Sequence, residues 1–334
     1  MGLKSWQSVR YQNKPSEFCF PQLLNISCRK PVQHHAETVF IYILLSSISL
    51  LTVTLNLLVV ISISHFRQLH TSTNLLLLSL AVSDFLVGFV LMPIQILLIG
   101  GCWVLGSFVC GLFYYASFIL TSASVGNMVL ISVDRYVAIC DPLQYPTKVT
   151  PRRVRVCVCL CWAFSVFYND FLKYPENYSS CYGECLVVVN FPEAAVDLVV
   201  TFLGPFLIIT VLYMRVFVVA VTQARAMRSH VASVPQQRSG TVIAKKSELK
   251  AARTLGVVVL AFLLCSCPYY CFTVAADYNL PGSSTGSAEL WLLYFNSCLN
   301  PVIYALCYPW FRRSIKHILT LQILQPGSRE ANIL

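Results

Sequence analysis

Long apolar blocks separated by shorter polar stretches run along the whole chain. Each block is apolar on every side rather than along one helical face, which is the pattern of a helix surrounded by lipid. About 20 apolar residues suffice for a helix to cross a bilayer. The pattern therefore predicts an all-α membrane protein, a bundle of seven transmembrane helices. The expected spans lie at about residues 37–64, 73–99, 108–133, 153–171, 194–221, 253–276 and 288–307.

The segment after the seventh block has a different pattern. In "YPWFRRSIKHIL" the side chains of Phe311, Ile315, Ile318 and Leu319 share one helical face, and the bases share the other. This arrangement predicts a short amphipathic eighth helix in the inner interface of the membrane. The expected organisation is an extracellular N-terminus, the seven-helix bundle, and an interfacial helix with a cytoplasmic tail, at residues 1–36, 37–308 and 309–334 respectively.

Composition and charge agree with a membrane protein and predict its orientation. The chain is 57% hydrophobic and 11% charged, whereas globular chains are about 25% charged. Of its 24 lysines and arginines, 18 fall on one side of the predicted spans, and the more basic side is cytoplasmic. The prediction is a multi-pass plasma-membrane protein with its N-terminus outside, surrounded by membrane lipid. The net charge of +10 lies on the cytosolic face and does not indicate nucleic-acid binding.

The predicted outer side carries candidates for two covalent modifications. Sequons at Asn25 and Asn177 are expected N-glycosylation sites. The outer cysteines lie in an oxidising compartment, where disulfides persist. In "CYGEC" the spacing indicates two loop cysteines with different partners, and the residues alone leave the pairing open. The outer cysteines are Cys19, Cys28, Cys102, Cys110, Cys181 and Cys185.

Asp84, in "SLAVSDFLVG", lies within the second apolar block. An ionisable residue at this depth is costly and usually has a function. One interpretation is a hydrated pocket that takes a sodium ion and senses rearrangement of the bundle. The alternative is a satisfied polar core, and no other cofactor is expected. The side chains expected near Asp84 are Asn56, Ser124, Asn296, Ser297 and Asn300.

Asp197 stands in an apolar stretch that is long enough to cross a membrane, "EAAVDLVVTFLGPFLIITVLYMRVFVVAV". A carboxylate at this depth is either hidden against protein or meets a cation. It lies eight residues before Pro205, or about 12 Å along a helix that rises 1.5 Å per residue. A ligand ammonium would form a charge-assisted hydrogen bond there. The alternative is a protonated Asp197 bonded to a neighbouring hydroxyl such as that of Thr201.

Motifs in all seven predicted spans resemble those of rhodopsin-class G-protein-coupled receptors, over about residues 35–320. Seven matches in the order of that family make the resemblance specific. More narrowly, "NSCLNPVIYALCYPWF", "FCFPQLLNISC" and "CYGEC" are similar to segments of trace amine-associated receptors. The residues that carry the broader resemblance are Asn56, Asp84, Asp134-Arg135-Tyr136, Trp162, Pro205 with Tyr213, Pro268, and Asn300-Pro301 with Tyr304.

The resemblance implies an olfactory receptor for small amines. Aminergic receptors hold the ammonium with an aspartate on span three, and Ser117 stands at that position here. Asp197 resembles the counter-ion of fish olfactory trace amine-associated receptors in which the acid lies on span five. Packing of the bundle is the alternative role for about half of the other side chains. The implied ligand-binding residues are Asp197, Ser117, Phe113, Tyr114, Phe118, Thr121, Thr201, Tyr269, Tyr270, Thr273, Trp291 and Tyr294.

The resemblance also implies coupling to a heterotrimeric G protein of the stimulatory, olfactory type. Ser266 departs from the family pattern, because a tryptophan usually stands there as the floor of the pocket. The implied disulfides are Cys110–Cys185 and Cys28–Cys181, while the partners of Cys19 and Cys102 stay open. The implied coupling and switch residues are Asp134, Arg135, Tyr136, Tyr213, Ser266 and Tyr304.

Other functions lack the sequence features that they need. A retinal photoreceptor requires a Schiff-base lysine where Tyr294 stands. The sequence has neither a zinc-binding His-Glu-x-x-His motif nor a nucleophile elbow, so an enzyme is not predicted. No internal repeat or pair of interrupted helices indicates a transporter. An amine transporter and a receptor for a non-amine ligand are the alternatives.

Overall fold

The computed structural model describes residues 18–23, 26–29, 35–171, 181–185, 191–231, 256–271 and 286–333. These residues form an all-α bundle, as predicted. In chain order the helices are α1 (His35–His65), α2 (Ser72–Leu86), α3 (Met92–Ile99), α4 (Gly106–Cys140), α5 (Tyr145–Lys148), α6 (Pro151–Phe171), α7 (Phe191–Asp197), α8 (Gly204–Val231), α9 (Gly256–Cys271), α10 (Gly286–Cys307) and α11 (Pro309–Leu319).

Seven spans are built from these helices. Spans one, three, four, six and seven are α1, α4, α6, α9 and α10. Span two joins α2 to α3 through the π-helical turn Val87–Leu91, and span five joins α7 to α8 through the π-helical turn Leu198–Leu203. Six of the spans are long and apolar enough to cross a bilayer, and the described part of span six is a shorter apolar helix.

Span three lies at the centre of the bundle, where it packs against spans two, four and five. Around it, an inner cluster of apolar side chains includes Met128 and Tyr304, and an outer cluster includes Phe113 and Tyr294. Large apolar side chains such as Phe167 are exposed on the perimeter. This distribution is that of helices whose outer sides meet lipid.

The eighth helix, α11, packs on the inner cluster through Trp310, Phe311 and Ser314, which are all buried. Leu319, the last residue of α11, is 72% exposed. An interfacial helix presents such exposed apolar side chains to lipid.

Three disulfides tie the outer segments together. The two pairs implied by the family resemblance are present, and a third pair joins the cysteines whose partners were open. The N-terminal segment, the connection after span two and the second outer loop thus form one cross-linked cap at the outer end of span three. Both predicted glycosylation sites, Asn25 and Asn177, lie outside the described residues. The disulfides are Cys19–Cys102, Cys28–Cys181 and Cys110–Cys185.

Gly183 allows the two halves of this cap to approach each other. Its φ is +105°, a conformation that favours glycine, and a Cβ at this position would lie 3.0 Å from the Cβ of Cys19. We therefore expect Gly183→Ala to lower surface expression several-fold, because the new methyl group would strain the loop and displace Cys19. Flow cytometry of an N-terminal epitope measures this directly.

Gly106→Ala is the matched control for this substitution. Gly106 also has a positive φ, +80°, but a Cβ there would meet no heavy atom within 4 Å. The control alanine should therefore have the smaller effect. Equal surface expression of the two variants would show that crowding against Cys19 is unimportant.

Candidate ligand site and cytoplasmic switch

Asp197 is the last residue of α7 and directly precedes the π-helical turn of span five. Such turns are rare and are often found at functional sites. The side chain is partly buried. Its carboxylate lies within electrostatic range of two phenol groups, those of Tyr168 on span four and Tyr270 on span six. Asp197 therefore faces protein between spans four, five and six.

Thr201, one turn further along span five, has its own hydrogen-bond partners. Its hydroxyl donates to the backbone carbonyl of Asp197 at 2.7 Å and lies 2.9 Å from the hydroxyl of Tyr270. A hydroxyl has only one proton to donate. Tyr270 is therefore the donor to Thr201, and in this arrangement Thr201 has no proton to give to the carboxylate of Asp197.

Ser117 is similarly engaged on span three. Its hydroxyl donates to the backbone carbonyl of Phe113 at 2.8 Å and lies 3.1 Å from the hydroxyl of Tyr294. By the same proton count, Tyr294 donates to Ser117. The position at which aminergic receptors carry an acid is thus occupied here by a neutral hydroxyl that is hydrogen-bonded on both sides.

Aromatic side chains surround both Asp197 and Ser117. Tyr269 and Tyr270 meet edge to face with ring centroids 5.2 Å apart, and Phe202 stacks on Tyr270 at 4.5 Å. Trp291 contacts Tyr294 edge to face at 6.4 Å. Tyr269 lies within electrostatic range of both Tyr270 and Tyr294. It therefore connects the part of the site around Asp197 to the part around Ser117.

The remaining predicted ligand residues have different positions. Tyr114 packs against Phe113 with centroids 5.2 Å apart, and its hydroxyl donates to the backbone carbonyl of Cys185 at 3.3 Å. The outer cap thus contacts the site directly. Phe118 and Thr121 are partly buried further along span three. Thr273 lies outside the described residues.

Ser266 on span six is fully buried. Its hydroxyl oxygen makes no hydrogen bond with any described group. A buried polar group without such a partner destabilises the fold and often has a functional reason. Ser266 thus places a buried hydroxyl where the family pattern has an indole.

Asp84 has no exposed surface, and both of its carboxylate oxygens accept hydrogen bonds from span seven. Ser297 donates to one oxygen and Asn300 to the other, each at 2.8 Å. Ser124 instead donates to Ser83 at 3.0 Å. Asn56 donates to the backbone carbonyl of Ser297 at 2.9 Å, so it supports the site indirectly.

The inner end of span three carries an ion pair embedded in a hydrogen-bond network. Nε of Arg135 donates to the Asp134 carboxylate at 2.9 Å. Thr73 of span two and Tyr145 of α5 donate to the same carboxylate, each at 2.9 Å. Thr73 also accepts from Arg135. Burial and the charge of Asp134 raise the pKa of Tyr145, which keeps its hydroxyl protonated as a donor.

Three tyrosines line the region between this ion pair and span seven. Tyr213, Tyr304 and Tyr308 each bury a hydroxyl that has no hydrogen-bond partner among the residues described. They also lie within electrostatic range of one another. Tyr136 packs against a small apolar cluster of Ile139 on span three and Val216 on span five.

Comparison with known proteins agrees with this architecture. Residues 55–304 match the family described as "7 transmembrane receptor (rhodopsin family)". The chain therefore belongs to the rhodopsin family of G-protein-coupled receptors, and it is a multi-pass plasma-membrane protein rather than an enzyme.

The relatives place the chain within one group of that family. It is 38% identical to trace amine-associated receptor 13c of Danio rerio, over 96% of each chain. Trace amine-associated receptor 5 of Rattus norvegicus is 35% identical, again over 96% of each chain. Trace amine-associated receptor 1 of Mus musculus is 34% identical over 93% of this chain and 98% of its own. The chain is thus a receptor of the trace amine-associated type.

Sequence reasoning did not find several residues of these sites. Tyr168 stands in the fourth apolar block, where its hydroxyl group was the available sign that it has a polar role. Thr73 and Tyr145 reach Asp134 from span two and α5, and no local pattern links them to it. Tyr308 directly follows the "NPVIYALC" stretch, where its proximity to Tyr304 was the available signal.

Proposed function

We propose that this receptor detects small amines in olfaction, binds the ligand ammonium through Asp197, and raises cyclic AMP through a stimulatory G protein. The names of its relatives associate them with trace amines, which supports this ligand class. The observation that carries the proposal is the placement of Asp197 in span five, facing the phenols of Tyr168 and Tyr270.

Asp197 supplies the negative charge that Ser117 lacks. A hydroxyl can hydrogen-bond an ammonium group but cannot neutralise its charge, whereas a carboxylate does both. Away from bulk water this attraction is stronger than at a surface. Tyr269, Tyr270 and Trp291 add aromatic faces that attract a cation. The ammonium would therefore bind at span five while the rest of the ligand extends toward Ser117 and Tyr294.

We also propose that a sodium ion binds at Asp84. Hard cations prefer oxygen ligands, and the Asp84 carboxylate provides two oxygens in a fully buried position. The side-chain amide oxygens of Asn56, Asn296 and Asn300 are buried and accept no hydrogen bond from described groups. These oxygen ligands suit a sodium ion, which would link spans one, two and seven.

The two faces of the receptor are connected through span six. Tyr269 and Tyr270 contact the proposed ammonium site, and Ser266 lies one turn below them. An amine drawn between spans five and six would shift span six. We expect the inner ends of spans five and six to separate, which would expose Arg135 to a G-protein helix.

A panel of amines applied to cells that express the receptor tests this function. Amines should evoke cyclic AMP, and uncharged alcohols of the same carbon skeleton should not, because only the amines carry the charge that Asp197 recognises. Cells without the receptor are the control. Uptake of labelled amine without any cyclic AMP response would contradict the proposal and indicate a transporter.

A further inference from the structure

We propose that the cytoplasmic face carries a peptide-docking site whose ligand is the chain's own C-terminal segment. The segment comprises residues 321–333. The docking site is formed by the connection after α1, residues 66–69, together with α11. This contact was not expected from the sequence, which predicted only a cytoplasmic tail for these residues.

Ile333 is the centre of the contact. Its side chain is fully buried in the inner cluster, together with Phe66, Leu69 and Phe311. Its backbone N–H donates to Oε1 of Gln68 at 3.3 Å. Its backbone carbonyl accepts from Arg313 on α11 at 3.4 Å. Extended peptides are recognised in this way, because a pocket buries one side chain while hydrogen bonds hold the backbone N–H and carbonyl groups.

Ser328 and Glu330 fix the path of the segment toward Ile333. The Ser328 hydroxyl donates to the backbone carbonyl of Ile323 at 2.7 Å and lies 3.0 Å from Nε2 of His65. Since Ser328 has one proton, His65 is the donor to it. Arg67 pairs with Glu330 at 3.2 Å, but both side chains are largely exposed, so this pair contributes little.

The rest of the segment shows that it is docked at few points. Its only regular structure is two short 3₁₀ turns, Gln322–Leu324 and Ser328–Glu330. Leu321 and Leu324 are 65% and 77% exposed. A segment held mainly through Ile333 can leave without unfolding the bundle. Its departure would uncover Phe66 and Leu69, an apolar surface that another extended segment with a branched aliphatic residue would fit.

Hydrogen exchange of the full-length receptor in lipid nanodiscs tests the docking. We expect Ile333→Asp to raise exchange rates in residues 325–334 by about tenfold or more. Burial of one aliphatic side chain shifts the equilibrium between docked and undocked segment by at least that factor. Leu324→Asp is the matched control, since it makes the same change at an exposed position of the same segment. Its exchange should equal that of the wild type.

Gln68→Ala provides a second variant that leaves the buried side chain intact. It removes the acceptor of the Ile333 N–H, so exchange in the same residues should rise by a smaller factor. Wild-type exchange rates in both Ile333→Asp and Gln68→Ala would overturn the proposal.

A labelled peptide of residues 321–334 tests whether the site recognises the segment itself. The peptide should bind the Ile333→Asp receptor at least tenfold more tightly than the wild-type receptor, where the attached segment competes. Binding to the Leu324→Asp receptor should be as weak as to the wild type. Equal binding to all three receptors, or no binding to any, would contradict a specific docking site.

Discussion

Asp197→Ala should lower amine potency by about 100-fold or more while leaving surface expression near that of the wild type. Ion pairs removed from water contribute a few kcal/mol to binding, and about 1.4 kcal/mol corresponds to each factor of ten. Expression should persist because a carboxylate is costly to hold within a span, so its removal should not weaken the ligand-free fold. Cyclic AMP dose–response curves, normalised to surface epitope, measure both quantities.

Three further variants sharpen this prediction. Asp197→Glu should keep a weaker response, because the charge survives on a longer stem. Adding Ser117→Asp to Asp197→Ala should restore part of the amine response, since an acid then stands on span three. Asp170→Ala is the matched control: Asp170 lies at the outer end of span four, where it accepts a hydrogen bond from Tyr115 and is exposed. Its removal should change potency little.

Asp134→Asn should raise ligand-independent cyclic AMP by about tenfold. The side chains of Asp134 and Arg135 are only 2% and 11% exposed, and breaking such a pair by removing one charge costs several kcal/mol. Arg135, Thr73 and Tyr145 all hydrogen-bond to Asp134 or to one another in this arrangement. Loss of the charge would therefore favour states in which Arg135 is released.

Asp141→Asn is the control for this second prediction. It makes the same substitution on the cytoplasmic face, where Asp141 pairs with Lys148 at 2.8 Å and both side chains are partly exposed. Surface pairs contribute little, so basal signalling should stay at the wild-type level. If Asp134→Asn changed ligand-independent cyclic AMP as little as Asp141→Asn, the ion pair would have no part in stabilising the inactive state.

The sequence predicted those features that depend on local pattern. Seven apolar blocks predicted the helical bundle, because a lipid-facing helix must satisfy its own backbone hydrogen bonds and be apolar outside. Asp84 was placed near Ser297 and Asn300, and both donate to it. Asp197, Ser117 and the surrounding aromatic residues were assigned to a ligand site on family resemblance, and that role stays a prediction.

Features that depend on distant parts of the chain could not be predicted in this way. Cys19 and Cys102 lie 83 residues apart, and cysteine counts do not determine connectivity. Ile333 contacts Gln68, which lies 265 residues away in the chain. The sequence around Ile333 predicted only a cytoplasmic tail. The π-helical turn that directly follows Asp197 has no composition signal of its own.

Direct binding of a labelled amine to Asp197→Asn receptor tests the central claim most directly. Asparagine keeps the shape of the side chain and removes only its charge. In purified receptor held in lipid nanodiscs, the amine should bind about 100-fold more weakly than to wild type, while the thermal unfolding temperatures of the two proteins stay close. Equal amine affinity in a well-folded Asp197→Asn receptor would contradict the role of Asp197 as the counter-ion.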